Sequence, residues 1–280
     1  MSRRRPVRAW VGTTATVDPE ELVGPRGLTE AVLHEPSSEA ALETVVSAVS
    51  PGGEAALDGE AAPDAAALGA AFWWELLTPE RQARIRSVID ARLSSVTVVL
   101  DRLVDPHNTA AILRTSEGLG LCAVHVIAHE DGDDGSAHRR VTQDAAKWLD
   151  VESHASGARC AAALAGRGFE VWAAHLDSKA RLFTELPADR PVALLFGNEH
   201  EGPRQETLAA CAGTVRIPMA GFTQSFNVSV AAAIALSQQT RARRAFLGAA
   251  GDLSPRERAL LKARFTLLAA RLSRRVKSRR

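Results

Sequence analysis

Three short stretches hold most of the side chains in this 280-residue chain that could do chemistry. The first, DPHNTAAILRTSEGLG at 105–120, carries Asn108 and Arg114 on an apolar helical pattern. An Asn there suits a helix N-cap, and the Arg could pair with Glu117 one turn on. At about 100° per residue the two lie roughly 120° apart round a helix, so spacing alone does not put them on one face. The second, LLFGNEHEGP at 194–203, ends an apolar run at Gly197 and continues with Asn198, Glu199, His200 and Glu201. His200 could be a base near neutral pH, but nothing in the sequence pairs it with a nucleophile. Two carboxylates would repel a phosphate. The third, IPMAGFTQSFNVSVAAA at 217–233, runs from an apolar end into a small-residue loop, and Ser225, Asn227 and Ser229 then open an Ala-rich run. A strand feeding such a loop at a helix N-terminus lets backbone groups reach a ligand. A plain turn with Ser225 as N-cap fits the same residues.

Several chemistries lose support. There is no Walker lysine and no G-x-G-x-x-G after the first strand, which disfavours nucleoside triphosphates and ordinary dinucleotides. No G-x-S-x-G surrounds Ser225, Ser229 or Ser237, which weakens hydrolase readings. Cys122, Cys160 and Cys211 are odd in number and far apart, with no metal-ligand spacing. A reducing cytoplasm and no metal are therefore expected. No apolar run approaches the roughly 20 residues that span a bilayer. The start, MSRRRPVRAW, lacks the apolar core of a signal peptide.

Elements must position those stretches. Thr78-Pro79-Glu80 reads as a helix start, with Ile85, Val88, Ile89 and Leu93 on one side and Arg81, Arg84, Arg86 and Arg92 on the rest. Strands are expected at 96–103, 123–128, 150–153, 169–176, 191–197 and 214–219. Helices are expected between them, from Asn108, from Ser156, near 204–212 and from about Ser225 to Phe246. A last basic helix opens at Ser254-Pro255. This alternation argues for an α/β fold, a mostly parallel sheet with helices on both faces and flanking helices. The loops after Leu103, Leu176, Phe196 and Met219 then share one edge, where such sheets bind ligands.

Charge divides the chain. The net value of +1 hides 12 acidic and 5 basic side chains in 1–75, against 13 basic and 2 acidic in 241–280. Residues 1–75 are close to low complexity around 51–70 and are expected to be partly disordered, with short ordered pieces near Arg8–Thr14 and Glu39–Val49. Residues 76–248 form the main domain, and 249–280 a basic helix. A solvated helix face explains that basicity as well as a clamp for a polyanion does.

In this order and spacing, the three stretches resemble the three motifs of the SPOUT superfamily of RNA methyltransferases, in its SpoU (2′-O-ribose) branch. The resemblance spans about Thr78 to Arg244. The lead-in TPERQARI, KWLDVE at 147–152 and AAHL at 173–176 look most like the tRNA guanosine-2′-O methyltransferases of the D-loop. The resemblance implies S-adenosylmethionine as donor, S-adenosylhomocysteine as product, a C-terminal trefoil knot and a homodimer whose interface can complete the catalytic site. Carried over by motif, Asn108, Arg114, Glu199, Ser225 and Asn227 are catalytic candidates. Ala174, His175, Leu176, Gly197, Ile217, Met219 and Phe226 are cofactor candidates, with Phe226 where the family often has Leu. Arg84, Arg243, Arg244, Arg256, Arg258, Lys262 and Arg264 become candidates for tRNA phosphates. An rRNA-directed member of the branch and a non-catalytic RNA-binding protein on this fold are the alternatives.

Overall fold

The run VTVVLD forms strand β1 (Val96–Asp101), and all six residues are buried. A strand apolar on both faces needs cover on both, which the middle of a helix-flanked parallel sheet supplies. In the computed structural model, which describes residues 70–127 and 147–277 with side chains to 270, β1 is an interior strand of such a sheet, next to the central one. It pairs in parallel with β2 (Ala123–Ile127) on one side and β6 (Val192–Gly197) on the other. Beyond them lie β3 (Asp150–His154), β4 (Glu170–Ala174), β7 (Gly213–Arg216) and β5 (Arg181–Leu182). The order is β3-β2-β1-β6-β4-β7-β5, and every pair is parallel. The expected parallel α/β sheet is thus present. β5 falls outside the expected strands, because two residues are too few to show a pattern.

Helix starts follow local chemistry. Helix α1 (Pro79–Asp90) begins as expected, with Thr78 accepting from the Arg81 N–H at 3.2 Å and Pro79 in the first turn. Helix α2 (Pro106–Gly118) starts earlier than Asn108. Asp105 is its N-cap, accepting from the His107 N–H at 2.8 Å. Pro106 explains the shift: it fits the first helical position and leaves the capping role to the residue before it. Ser156 caps α3 (Gly157–Gly166), followed by α4 (Gln205–Ala210). Helix α5 (Val228–Leu247) begins later than Ser225, because Asn227 is the cap that accepts from the Ser229 N–H at 2.9 Å. Helix α6 (Pro255–Lys277) opens with a reciprocal pair: the Ser254 N–H donates to Glu257 at 2.7 Å, and the Glu257 N–H to Ser254 Oγ at 3.3 Å.

Alternate β1 side chains feed two cores. Val98 and Leu100 pack with Ile112, Leu113 and Leu236 under α2 and α5. Val99 packs with Cys160, Leu164 and Leu195 under α3 and α4. A third cluster joins Trp74, Leu77, Ile85 and Ile89 of residues 70–90 to Phe265 of α6. The basic helix therefore carries an apolar face that is spent on α1. The turn between α5 and α6 is clasped to the start of β1, where Asp252 accepts from the Ser94 N–H at 2.6 Å and also from Ser95 Oγ. Among the described residues, no helix is long and apolar enough to cross a membrane. The short pieces expected near Arg8–Thr14 and Glu39–Val49 lie outside the described residues.

Phe265 is 1% exposed, so Phe265→Ala should cost about 3–5 kcal/mol of unfolding free energy. Urea denaturation checks this. A loss below about 1 kcal/mol would mean that α6 is not part of the core.

Candidate active site

Because β4, β6 and β7 run the same way, their carboxyl ends open on one edge of the sheet. A cleft of about 560 Å³ lies there, a size suited to a small-molecule ligand. All seven cofactor candidates line it: Ala174, His175 and Leu176 from the end of β4, Gly197 from β6, Ile217 and Met219 after β7, and Phe226 before α5. Glu199, Ser225 and Asn227 line it as well.

One turn shapes the rim. After Gly197 the chain doubles back so closely that a Cβ there would collide with the Pro203 nitrogen and the Gly202 carbonyl carbon. Gly202 itself has φ +70°, which glycine adopts without strain. Asn198 holds the turn: its Oδ1 accepts from the His200 N–H at 2.9 Å and the Glu201 N–H at 3.1 Å. Its amide donates to the Arg102 carbonyl at 3.2 Å, tying the turn to the end of β1. Arg102 is buried in a left-handed conformation at φ 57°, with its guanidinium on Asp101 at 3.3 Å and Glu201 at 3.4 Å. Neither Asn198 nor Arg102 is among the site residues expected from the sequence. For Asn198 a signal exists, since an Asn just after a strand-ending Gly favours a turn closed by its own side chain.

The three motif stretches meet in a chain of hydrogen bonds. Glu199 accepts from the Val104 N–H at 2.9 Å, the Asp105 N–H at 3.3 Å and Asn108 Nδ2 at 3.0 Å. Asn108 Oδ1 in turn accepts from Asn227 Nδ2 at 3.1 Å. Asn227 Oδ1 accepts from the Ser229 N–H and hydroxyl, which fixes the amide orientation. Asn108, Glu199 and Asn227 thus form one unit. Partial burial by itself would raise the Glu199 carboxyl, but the donors around it, Val104 first, outweigh this and hold it below the usual range. It is an anion at neutral pH.

Other candidates fall elsewhere. Arg114 is exposed on α2, does not line the cleft and, among the described residues, has no hydrogen bond or ion pair. Ser225 is exposed on the cleft rim. Of the cationic candidates, Arg84 and Arg256 face water. Lys262 is exposed and sets its ammonium 4.1 Å from the Trp74 ring centre. Arg258 pairs with Asp90. Three more are engaged by the protein itself. Arg243 donates to Ser95 Oγ at 2.8 Å and to the Ala188 carbonyl at 3.0 Å. Arg244 donates to the carbonyls of Leu119 at 2.7 Å and Ala91 at 3.0 Å. Arg264, buried, donates to the Leu149 carbonyl at 2.8 Å.

A parallel sheet with a cleft at its strand ends, rimmed by three converging loops, is an arrangement with known kin. Residues 95–237 match the model of the SpoU rRNA Methylase family, and the chain belongs to that family. Among its relatives is a tRNA (guanosine(18)-2′-O)-methyltransferase of Escherichia coli, 36% identical over 170 residues, or 60% of this chain and 72% of that protein. A Thermus thermophilus protein of the same name is 37% identical over 172 residues, 59% of this chain and 84% of that one. A solved A. aeolicus structure described as a TrmH/SpoU tRNA modifying enzyme superposes with a TM-score of 0.60 at 28% identity, covering 67% of this chain and 95% of that chain.

Because the folded Glu199 carboxyl sits below its ordinary value, its contribution to stability is complete above the unfolded value of about 4.3 and disappears as pH falls through the folded one. Glu199→Gln should therefore lower stability by a constant amount from about pH 6 to 8, and the gap from wild type should close below about pH 4. Denaturant melts across pH check this. A gap that persists undiminished at acid pH would remove the anion from the argument.

Proposed function

We propose that this chain transfers a methyl group from S-adenosylmethionine to a ribose 2′-hydroxyl of tRNA, at the D-loop guanosine, position 18. The observation that carries the reading is the cleft at the ends of β4, β6 and β7, rimmed by the hydrogen-bonded unit of Asn108, Glu199 and Asn227. The names of the E. coli and T. thermophilus relatives support the substrate.

The residues fit the donor. Ala174, Leu176, Ile217, Met219 and Phe226 give the cleft an apolar wall for an adenine. The close turn at Gly197 keeps side chains out of the strand end, so backbone groups can meet the nucleoside. S-adenosylmethionine supplies an electrophilic methyl on a positively charged sulfur. Glu199, anionic and fixed by its three donors, adds a negative potential at that rim. Its own oxygens are occupied, so its role is to position the loops rather than to take the proton. In this reading the chain ends in a trefoil knot that closes the cleft, it works in the cytoplasm, and no metal takes part in the transfer.

The transfer needs a 2′-oxygen held near 3–3.5 Å from the methyl carbon and help for a developing alkoxide. A guanidinium keeps its proton at physiological pH, so Arg114 is not the base. We assign it to orienting the ribose phosphate and stabilising the alkoxide, while the hydroxyl proton passes to a phosphate oxygen. Arg114 stands outside this chain's own cleft, so a second copy delivers it across a homodimer interface. The exposed Phe222, Val230 and Val104 near the cleft and α2 support such an interface. Ser225 on the rim contacts substrate.

Two measurements test this. Mapping of 2′-O-methyl nucleotides in a deletion strain should show the loss at tRNA position 18, and an rRNA loss instead would establish the second reading, which the family's description favours. Arg114→Lys should lower kcat about a hundredfold or more while leaving S-adenosylmethionine affinity within about twofold, because the planar fork is lost and the cleft is not. Near-normal turnover would refute the role.

The water-facing cations make a separate prediction. Arg84→Ala and Arg256→Ala should each reduce the slope of log K against log salt for tRNA binding by about 0.7–0.9, with no change in folding. Unchanged slopes would place the RNA on another face.

A further inference from the structure

The opposite half of the sheet holds a cluster that the transfer reaction does not use. His125 stands in β2, directly across from Glu152 in β3, and His154 ends β3 on the same side as Glu152. Cys160 comes down on them from α3 and is fully buried. Nδ1 of His125 and Nε2 of His154 are 3.0 Å apart, and with Cys160 Sγ they form a trio of ligand atoms all within 4.8 Å of one another. Glu152 Oε2 lies 3.5 Å from His125 Nδ1 and 3.9 Å from His154 Nε2.

We propose that His125, His154 and Cys160, with Glu152 as fourth ligand, form a structural site for a zinc-like divalent cation. Imidazole nitrogens with a thiolate and one carboxylate suit zinc and do not suit magnesium or calcium, which take oxygen donors. Four protein ligands also make a closed site, the structural rather than the catalytic kind. Around tetrahedral zinc, neighbouring ligand atoms sit about 3.3–3.7 Å apart. The two nitrogens therefore part by a few tenths of an ångström, and the sulfur approaches by up to about 1 Å. The Glu152–nitrogen distances already lie close to that range.

The surroundings agree. Imidazole and cysteine ligands bind a cation deprotonated, so uptake of the ion displaces the Cys160 thiol proton. Arg167 grips both Glu152 oxygens, Oε1 at 3.2 Å and Oε2 at 3.3 Å; it stays on Oε1 as an outer partner while Oε2 gives up its bond to Arg167 for the ion. The His154 and Glu152 side chains are 16% and 17% exposed, which gives an entry path. The ion would stitch the edge strand β3 to β2 and to α3, two strands away from β6 and the cleft.

The full-length chain carrying Cys122→Ser and Cys211→Ser, stripped with a chelator, is titrated with cobalt(II). The expected result is a one-to-one cobalt–thiolate charge-transfer band that zinc bleaches. With free zinc a hundredfold above its Kd, the folding constant should rise about a hundredfold. Cys160→Ala should abolish the band, and His154→Gln should weaken cobalt binding about tenfold or more with an unchanged far-ultraviolet circular dichroism spectrum. The same titration of wild type against Cys160→Ala alone covers a failure of the double variant to fold. A folded protein with no band and no thermal shift overturns the proposal, as does a band that survives Cys160→Ala.

Discussion

The site depends on one amide being able to give and take at once. Asn108 donates through Nδ2 to Glu199 and accepts through Oδ1 from Asn227, partners 91 and 119 residues away in the chain. Aspartate at that position would set two carboxylates against each other. A leucine would take one donor from the half-buried Glu199 and leave the Asn227 amide to water, and neither loop would then be tied to α2. Only an amide closes the link, and the link joins three loops. The loop after β1, the turn after β6 and the start of α5 share a fixed geometry because of it. Each partner is immobilised again from its far side. Glu199 is held by backbone N–H groups ahead of α2, and Asn227 by the first turn of α5.

That arrangement explains why the strand ends look strained. Arg102 occupies a left-handed conformation that costs a non-glycine residue about 1 kcal/mol or more. The bend turns the chain out of β1 toward the Glu199 loop, and the Arg102 carbonyl is what Asn198 grips. Gly197 is required for the reciprocal reason, since the returning backbone occupies the space a Cβ would need. Compact turns on both strands let the carboxylate of one reach the amides of the other without a long, mobile loop.

Much of this was legible in the sequence, and the gaps have physical causes. Apolar runs gave β1, β2, β4 and β6, since strands buried on both faces leave a continuous signature. Thr78-Pro79 and Ser254-Pro255-Arg256-Glu257 marked helix starts because one capping residue stood alone in each. At α2 and α5 two candidate caps lay within three residues, Asp105 against Asn108 and Ser225 against Asn227. Backbone angles, not residue types, decide such cases. Strand alternation put the loops after Leu176, Phe196 and Met219 on one edge, but which residues there line the cleft was reachable only through the motif resemblance. The His125, His154 and Cys160 cluster shows the same limit. Strand register and one helix join those ligands, and no ligand spacing along the chain announces them.

The basic end of the chain carries the argument furthest from composition. Its charge count suggests a uniform cationic surface, yet a long guanidinium can reach inward as easily as outward. Arg243, Arg244 and Arg264 reach inward and bind carbonyls on the segments that lead into and out of the sheet. Their cost of desolvation is offset by hydrogen bonds to those carbonyls, and in return they lock α5 and α6 to the body. Arg258 is neutralised by Asp90. Of the seven cationic candidates, Arg84, Arg256 and Lys262 are the ones that face water, and all three stand on α1 and α6, which pack together. The helix pair that carries these charges on one side is the pair whose apolar side, through Phe265, completes the third core.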